Sequence, residues 1–176
     1  MSLREFDPAT LARETVHAAL DRIRATAMGI DPRLSVRVER DGKPWDGTGL
    51  TTLGHAVQTL TIYAQTGAPL EASVHKYCVT LVGVADDALD DASRPDTTTD
   101  LGIVIAAALC RESLEQGQPV RTGWLAALAG VTIGRVQQLV TSGDMRATVK
   151  GGDNYVRADD ARRWLGGRGV EVQRGS

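Results

Sequence analysis

The chain of 176 residues has only two cysteines and lacks any long apolar run. Cys78 and Cys110 lie in apolar, helix-like surroundings without the spacing of a metal site, so we expect both to be buried free thiols, as in a reducing compartment. No stretch approaches the roughly 18 consecutive apolar residues that a membrane helix needs. The first residues also lack the basic and then apolar pattern of a secretory signal. We therefore expect a protein of a bacterial-type cytoplasm with no membrane partner.

Groups of side chains typical of catalytic or metal sites are equally scarce. His17 and His55 stand alone, and His75 has only Cys78 three residues later. No arrangement of serine, cysteine and histidine suggests nucleophilic catalysis. We therefore predict no catalytic residue, no metal ligand and no cofactor, and we do not expect an enzyme.

One acidic string would instead fit a metal-dependent enzyme. Residues 86–90 read Asp-Asp-Ala-Leu-Asp, and carboxylates at this spacing on a helix can converge on a magnesium ion. A second string of this kind is missing, and the chain is short for the isoprenoid enzymes that use it. An acidic helix end that runs into a solvated loop is therefore the better interpretation.

The net charge of -2 is unevenly distributed along the chain. Residues 1–118 carry 11 basic and 17 acidic side chains, whereas residues 119–176 carry 9 basic and 5 acidic ones. The two parts thus have net charges of -6 and +4. A basic C-terminal third on an acidic remainder suggests that only this third meets a polyanion.

Apolar periodicity predicts a mainly α fold, with an N-terminal bundle of about four helices and one short strand over residues 1–117. The predicted elements are a helix from Asp7 to Gly29, a strand over 34–39 closed by the turn Asp41-Gly42, and helices over 51–65, 71–89 and 100–116. The segment 101–110 is apolar all round, which places it at a bundle centre or at a subunit contact. We expect this domain to serve dimerisation or regulation, with a homodimer formed through residues 1–117. The domain boundary is predicted at residues 117–119.

Residues 122–141 have the spacing of two short helices joined by a tight turn. Gly130 falls in the turn, where a left-handed backbone favours glycine, and Ala126 is small where the helices would cross. The apolar positions that would hold the pair together are Leu125, Ala129, Val131, Val136 and Leu139. This pattern predicts a helix-turn-helix and makes DNA binding the leading hypothesis.

A hairpin and a last helix follow. Residues 145–150 and 155–157 read as strands around the turn-forming residues 151–154, so the hairpin would be a wing. Asp159 or Asp160 is the expected cap of a helix that Gly166-Gly167 ends. The small core is expected to be closed by Trp124, Tyr155, Trp164 and Leu165. This domain spans residues 119–168, and residues 169–176 are predicted to be a flexible tail.

The order of these elements is similar to that of a known superfamily. Two helices ending in Ser-Gly-Asp-Met at 142–145, a hairpin, and Asp-Asp-Ala-Arg-Arg-Trp-Leu at 159–165 resemble the winged helix-turn-helix of the excisionase and MerR-like superfamily. The resemblance covers about residues 119–168 and implies a DNA-binding module without indicating its target. MerR-like regulators carry this module at the N-terminus, whereas here it is C-terminal. Their effector-binding and metal-sensing properties are therefore not carried over.

The predicted recognition helix spans residues 133–142. Because arginine can bridge guanine O6 and N7 and glutamine can bridge adenine N6 and N7, its polar face suits a major groove. The expected base-reading residues are Thr132, Gly134, Arg135, Gln137, Gln138 and Thr141. Expected phosphate contacts on the wing and nearby are Arg121, Arg146, Lys150, Arg157 and Arg163, to which Arg162 could add.

Two hypotheses of function follow from the sequence. The first is a sequence-specific protein that binds double-stranded DNA, as a bacterial or mobile-element transcriptional regulator or an excisionase-like accessory factor. The second is a protein-interaction or assembly module without DNA contact. The repressor, activator and architectural roles use the same module, so the sequence leaves them open.

Overall fold

The computed structural model describes residues 3–30, 39–40, 43–44, 52–81 and 95–173. Within them the chain is mainly helical, with a small three-stranded antiparallel sheet. A 3-10 turn, Leu3–Glu5, opens the described part. The elements that follow it up to residue 115 are α1 (Pro8–Ile30), β1 (Glu39–Arg40), β2 (Lys43–Pro44), α2 (Thr52–Thr66), α3 (Val74–Leu81) and α4 (Asp100–Glu115).

The C-terminal third contains the larger sheet. Its elements are β3 (Val120–Arg121), α5 (Thr122–Ala129), α6 (Ile133–Thr141), β4 (Ala147–Lys150), β5 (Asp153–Val156) and α7 (Ala158–Gly166). The sheet has the order β3-β5-β4, and both strand pairs are antiparallel. Val120 of β3 is paired with Val156 of β5. The strand that precedes α5 therefore lies beside the strand that precedes α7.

The predicted start of α1 is confirmed, and α2 begins at Thr52, within one residue of its predicted start. Asp7 lies just before α1, and its Oδ2 accepts a hydrogen bond of 2.8 Å from the backbone N–H of Thr10. Pro8 takes the first helical position, where its missing N–H costs nothing. At the end of α2, Gly67 has a φ of +74°, the left-handed conformation that commonly ends a helix.

The third helix differs from its prediction at the N-terminus. It begins at Val74 instead of Glu71, because Ser73 is a better cap than the residues before it: its Oγ accepts from the backbone N–H of Lys76 at 3.3 Å. Beyond Leu81, the predicted run to residue 89 lies outside the described residues, as does the acidic string 86–90.

The predicted strand over residues 34–39 is only partly covered. Glu39 is described and lies in β1, which pairs with β2. Residues 34–38 and the turn Asp41-Gly42 lie outside the described residues.

Helix α4 lies at the centre of the packing, in contact with α2, α3, α5 and α7. The sequence predicts that all ten residues from Leu101 to Cys110 are buried, and all except Ile103 are. Other parts of the same chain thus cover this helix. Of the two places predicted for residues 101–110, the structure supports the centre of the bundle and not a subunit contact. One continuous hydrophobic cluster extends from Leu3 to Leu165 and includes side chains on both sides of residues 117–119. The domain boundary there stays a prediction.

The turn before α4 is closely packed. Thr99 caps the helix, with its Oγ1 accepting from the N–H of Gly102 at 3.0 Å. Asp96 folds back on the same turn, since its carbonyl oxygen accepts from the N–H of Thr99 at 3.2 Å. A Cβ at Gly102 would collide with that carbonyl group, so this position requires glycine.

Both cysteines are free and buried, as predicted. Burial raises the pKa of the Cys78 thiol to about 12 and also raises the pKa of Cys110. Both thiols are therefore protonated at neutral pH and have little nucleophilic reactivity.

The tail was predicted to be flexible, but part of it is held in place by the fold. Val170 and Val172 pack against the hydrophobic cluster. The carbonyl oxygen of Glu171 accepts a 2.9 Å hydrogen bond from Nη1 of Arg111 in α4. These contacts lie far apart in sequence, so local composition does not reveal them.

A search of the described residues finds no helix with the length and hydropathy to span a bilayer.

Candidate nucleic-acid interface

The turn between α5 and α6 has the predicted geometry. Gly130 has φ +64° and ψ +37°, a left-handed conformation. Thr132 is extended, and its Oγ1 accepts from the backbone N–H of Arg135 at 3.3 Å, which caps α6 as predicted. Leu125 and Ala126 of α5 are buried together with Val136 of α6. The two helices are thus held by an apolar contact and a glycine turn.

The opposite face of α6 is open to solvent. Val136 is buried, and Leu139 and Val140 are partly buried against the core, as predicted. The six residues predicted to read bases are all exposed: Thr132, Gly134, Arg135, Gln137, Gln138 and Thr141. Nη1 of Arg135 lies 3.4 Å from Oε1 of Gln138, a long and weak hydrogen bond that a ligand can replace. Arginine and glutamine therefore stand next to each other on one exposed helix face.

The hairpin of β4 and β5 projects next to these helices. Its turn consists of Gly151 and Gly152, with φ values of +60° and +86°. The sequence analysis predicted a turn over residues 151–154, but Lys150 is paired directly with Asp153. Two successive glycines suffice for a two-residue hairpin turn because both can adopt positive φ. Val149, near this turn, is 73% exposed.

Arg121 is engaged within the fold. Its guanidinium lies over the rings of Trp124 and Tyr155, at 5.1 and 5.8 Å from their centroids. Nε donates to the Tyr155 hydroxyl at 2.9 Å and lies 3.6 Å from Oδ2 of Asp153. Only 21% of the side chain is exposed. Arg121 therefore joins α5 to the sheet, and little of it is available for the phosphate contact predicted from the sequence.

Asp160 has a different role from the predicted one. Helix α7 begins at Ala158, so Asp159 and Asp160 lie in its first turn and do not cap it. The Asp160 carboxylate instead accepts from the backbone N–H of Arg146 at 3.1 Å, and from Nε and Nη2 of Arg146 at 3.0 and 3.2 Å. Nη1 of Arg163 donates to it at 3.3 Å. One buried carboxylate thus holds the base of the hairpin to α7 and pairs with two of the predicted phosphate contacts, whose side chains remain 64% and 72% exposed.

This arrangement predicts a stability change in acid. The hydrogen bonds from Arg146 lower the pKa of Asp160 from 3.8 to about 2. Because the folded pKa lies below the unfolded one, the ionised carboxylate stabilises the fold fully above about pH 4, and this contribution is lost as the pH falls towards 2. Asp160→Asn is expected to lower Tm at pH 7, and the difference from the unmodified chain should shrink from pH 4 to pH 2.

Thermal unfolding followed by circular dichroism across this pH range measures the effect. Asp159→Asn is the matched control, because Asp159 is mostly exposed and pairs with Arg162 on the surface of α7. If both variants behave alike at every pH, the carboxylate of Asp160 does not hold the hairpin.

Arg162, considered as an additional phosphate contact, has another partner. Its side chain is only 14% exposed, Nη1 lies 3.1 Å from Oδ1 of Asp159, and Nη2 donates to the carbonyl oxygen of Leu114 at the end of α4. It therefore fastens α7 to the bundle. Within the described ranges, four exposed cations of the C-terminal third form no ion pair; Arg168 lies over the Trp164 ring, and the other three are Arg135, Lys150 and Arg157. These three are the cations best placed to meet a polyanion.

No family model, curated protein or solved structure matches the chain. The described part contains no group of three or more His, Cys, Asp or Glu side chains that could hold a metal ion.

The burial of one charged residue, Arg111, was not predicted from the sequence. Arg111 is buried in the otherwise apolar centre of α4, where it bonds to backbone carbonyls of α2 and of the C-terminal segment. A signal was present, since Arg111 directly follows an apolar run of ten residues. An arginine at a fully buried helical position is rare unless it is paired or has a function.

Proposed function

We propose that the protein binds double-stranded DNA sequence-specifically and places α6 in the major groove. The observation that carries the proposal is the exposed face of α6, which presents Arg135, Gln137 and Gln138 on a short helix fixed by Val136 and a capped turn. A helix of this size fits the major groove, and these side-chain types match the edges of guanine and adenine.

In this proposal α5, α6 and the hairpin act as a winged helix-turn-helix. Lys150 at the hairpin turn and Arg157 at the end of β5 are exposed and would contact phosphates. The resemblance of residues 119–168 to the excisionase and MerR-like modules supports the same interpretation. The role would be that of a transcriptional regulator or an excisionase-like accessory factor.

Selection of bound sequences from a random duplex pool, with the full chain, tests the proposal most directly. A defined sequence logo is the expected result. The homodimer through residues 1–117 stays a prediction, and a palindromic logo would support it because a two-fold pair reads two half-sites. Enrichment of no sequence, together with no binding of any duplex at low salt, would refute the proposal.

Salt provides a quantitative check. With two to four phosphate contacts per copy, log K should fall against log salt with a slope of about -1.8 to -3.6. Between 50 and 200 mM salt, the affinity is therefore expected to fall about 10- to 150-fold. Fluorescence anisotropy of a labelled duplex measures it. A slope near zero would contradict binding through phosphates.

A protein-interaction module is the second candidate. Ile133 on α6 and Val149 on the hairpin are exposed large hydrophobic side chains, 40% and 73% accessible. Such side chains suit a protein partner. This function predicts association that is insensitive to salt and unaffected by duplex DNA, so the anisotropy titration separates the two candidates.

A further inference from the structure

A cavity of about 400 Å³ lies where five parts of the chain meet. It is lined by Leu3 of the opening 3-10 turn, by the end of α2 (residues 64–66), by Arg111 of α4, by residues 128–130 at the end of α5, and by the C-terminal segment 168–171. Its volume falls in the range of 300–1,000 Å³ that is usual for small-molecule sites. The space is thus large enough for a small organic ligand.

Arg111 contributes a buried cation to this cavity, being 4% exposed. Nη1 donates to the carbonyl oxygen of Glu171 at 2.9 Å, and Nε and Nη2 both donate to the carbonyl oxygen of Ala64 at 3.4 Å. A guanidinium has five N–H groups, so two remain for another acceptor. The two bonds to Ala64 are long and therefore weak.

The charge of Arg111 has no direct counter-charge among the described residues. Glu115 lies one turn further along α4, but its Oε2 accepts from the Tyr63 hydroxyl at 2.7 Å. Glu112 accepts from the backbone N–H of Val74 at 2.9 Å. Burial lowers the pKa of Arg111, and the negative charge of Glu115 opposes this shift.

Arg168 lines the same cavity. Its guanidinium lies over the Trp164 ring, 5.2 Å from the centroid, and its side chain is exposed. Glu171 is the acidic residue of the wall, but its side chain is exposed and its backbone carbonyl serves Arg111. Two arginines and one glutamate thus contribute to the wall, and their formal charge of +1 favours an anion.

We propose that this cavity binds a small organic anion. An oxyanion group, carboxylate or phosphate, would accept hydrogen bonds from Arg111 and Arg168, and the body of the ligand would lie between the end of α2, the end of α5 and the C-terminal segment. Guanidinium groups suit this role because their fork of donors matches the two oxygens of such a group.

Thermal-shift and calorimetric titrations of the full chain test the proposal, with acetate, citrate and inorganic phosphate compared against chloride at equal ionic strength. We expect a saturable rise in Tm with at least one of these probes, and the ranking of carboxylates against phosphate identifies the preferred group. Arg168→Gln is expected to weaken binding about tenfold or more, the loss typical of one charge-assisted hydrogen bond.

Arg13→Gln is the matched control, because it removes one exposed arginine of α1 outside the cavity and should leave the Kd within about twofold. Arg111→Lys retains the charge but loses the fork, and should also weaken binding. Amide NMR signals of Gly130 and Gly169, which lie in the cavity wall, should shift on titration.

A non-saturable response, or an equal loss in Arg13→Gln and Arg168→Gln, would overturn the assignment. The titrations contain no DNA, so their outcome is independent of the proposed DNA binding.

Discussion

Replacing Arg135 with alanine is expected to weaken binding to the selected duplex by roughly 1–3 kcal/mol, which is about 5- to 150-fold. Arg135 lies in the first turn of α6, is exposed, and has only a long hydrogen bond to Gln138 to give up. The loss should be confined to the cognate sequence and should relax the preference at one base pair. Anisotropy titrations with the cognate duplex and single-base variants measure both effects.

Lys150→Ala provides the contrast. Lys150 stands next to the hairpin turn, so its removal should weaken binding to all duplexes equally and make the salt slope shallower by about one. Tm of both variants should match that of the unmodified chain, because neither side chain is buried. If Arg135→Ala weakened binding to every duplex alike, α6 would not be reading bases.

Replacing Gly102 with alanine is expected to lower the free energy of unfolding by roughly 2–4 kcal/mol. The added Cβ would collide with the carbonyl group of Asp96 and crowd Oγ1 of Thr99, so the turn must move and the cap of α4 is lost. Overpacking typically costs about 1–3 kcal/mol and a lost cap about 0.5–2 kcal/mol. Urea unfolding followed by circular dichroism measures the change.

Gly134→Ala is the matched control for this variant. Gly134 also lies in the first turn of a helix, but a Cβ there would have only Oγ1 of Thr132 nearby, at 4.0 Å. The substitution should leave stability unchanged or raise it by up to about 1 kcal/mol, because alanine favours helix more than glycine does. Equal destabilisation by both substitutions would show that the packing of Asp96 against Gly102 does not matter.

The local features of the C-terminal third were predictable because each depends on near neighbours. Gly130 between two apolar helices, Thr132 before α6 and the glycine pair at 151–152 each specify a turn or cap within a few residues. The exposed face of α6 follows from the same periodicity, since Val136 fixes the buried side. These elements were therefore located correctly to within a residue or two.

The long-range polar contacts could not be predicted. Asp160 looks like a helix cap in the sequence, but its partner Arg146 is 14 residues away, across the hairpin. Arg121 looks like a phosphate ligand until Tyr155, 34 residues later, comes to lie beside it. Sequence patterns report burial and local turns, whereas the partner of a charged side chain depends on the tertiary fold.

The packing of α5 against α4 affects how two copies could bind two half-sites on DNA. Only residues 116–119 separate α4 from β3, and the buried side of α5 packs along α4, so α6 has no hinge on which to swing. A DNA-binding module on a flexible linker can bind half-sites at many different separations. If two copies pair through residues 1–117, as predicted, the connection between α4 and β3 would therefore add little freedom to the separation of the two half-sites.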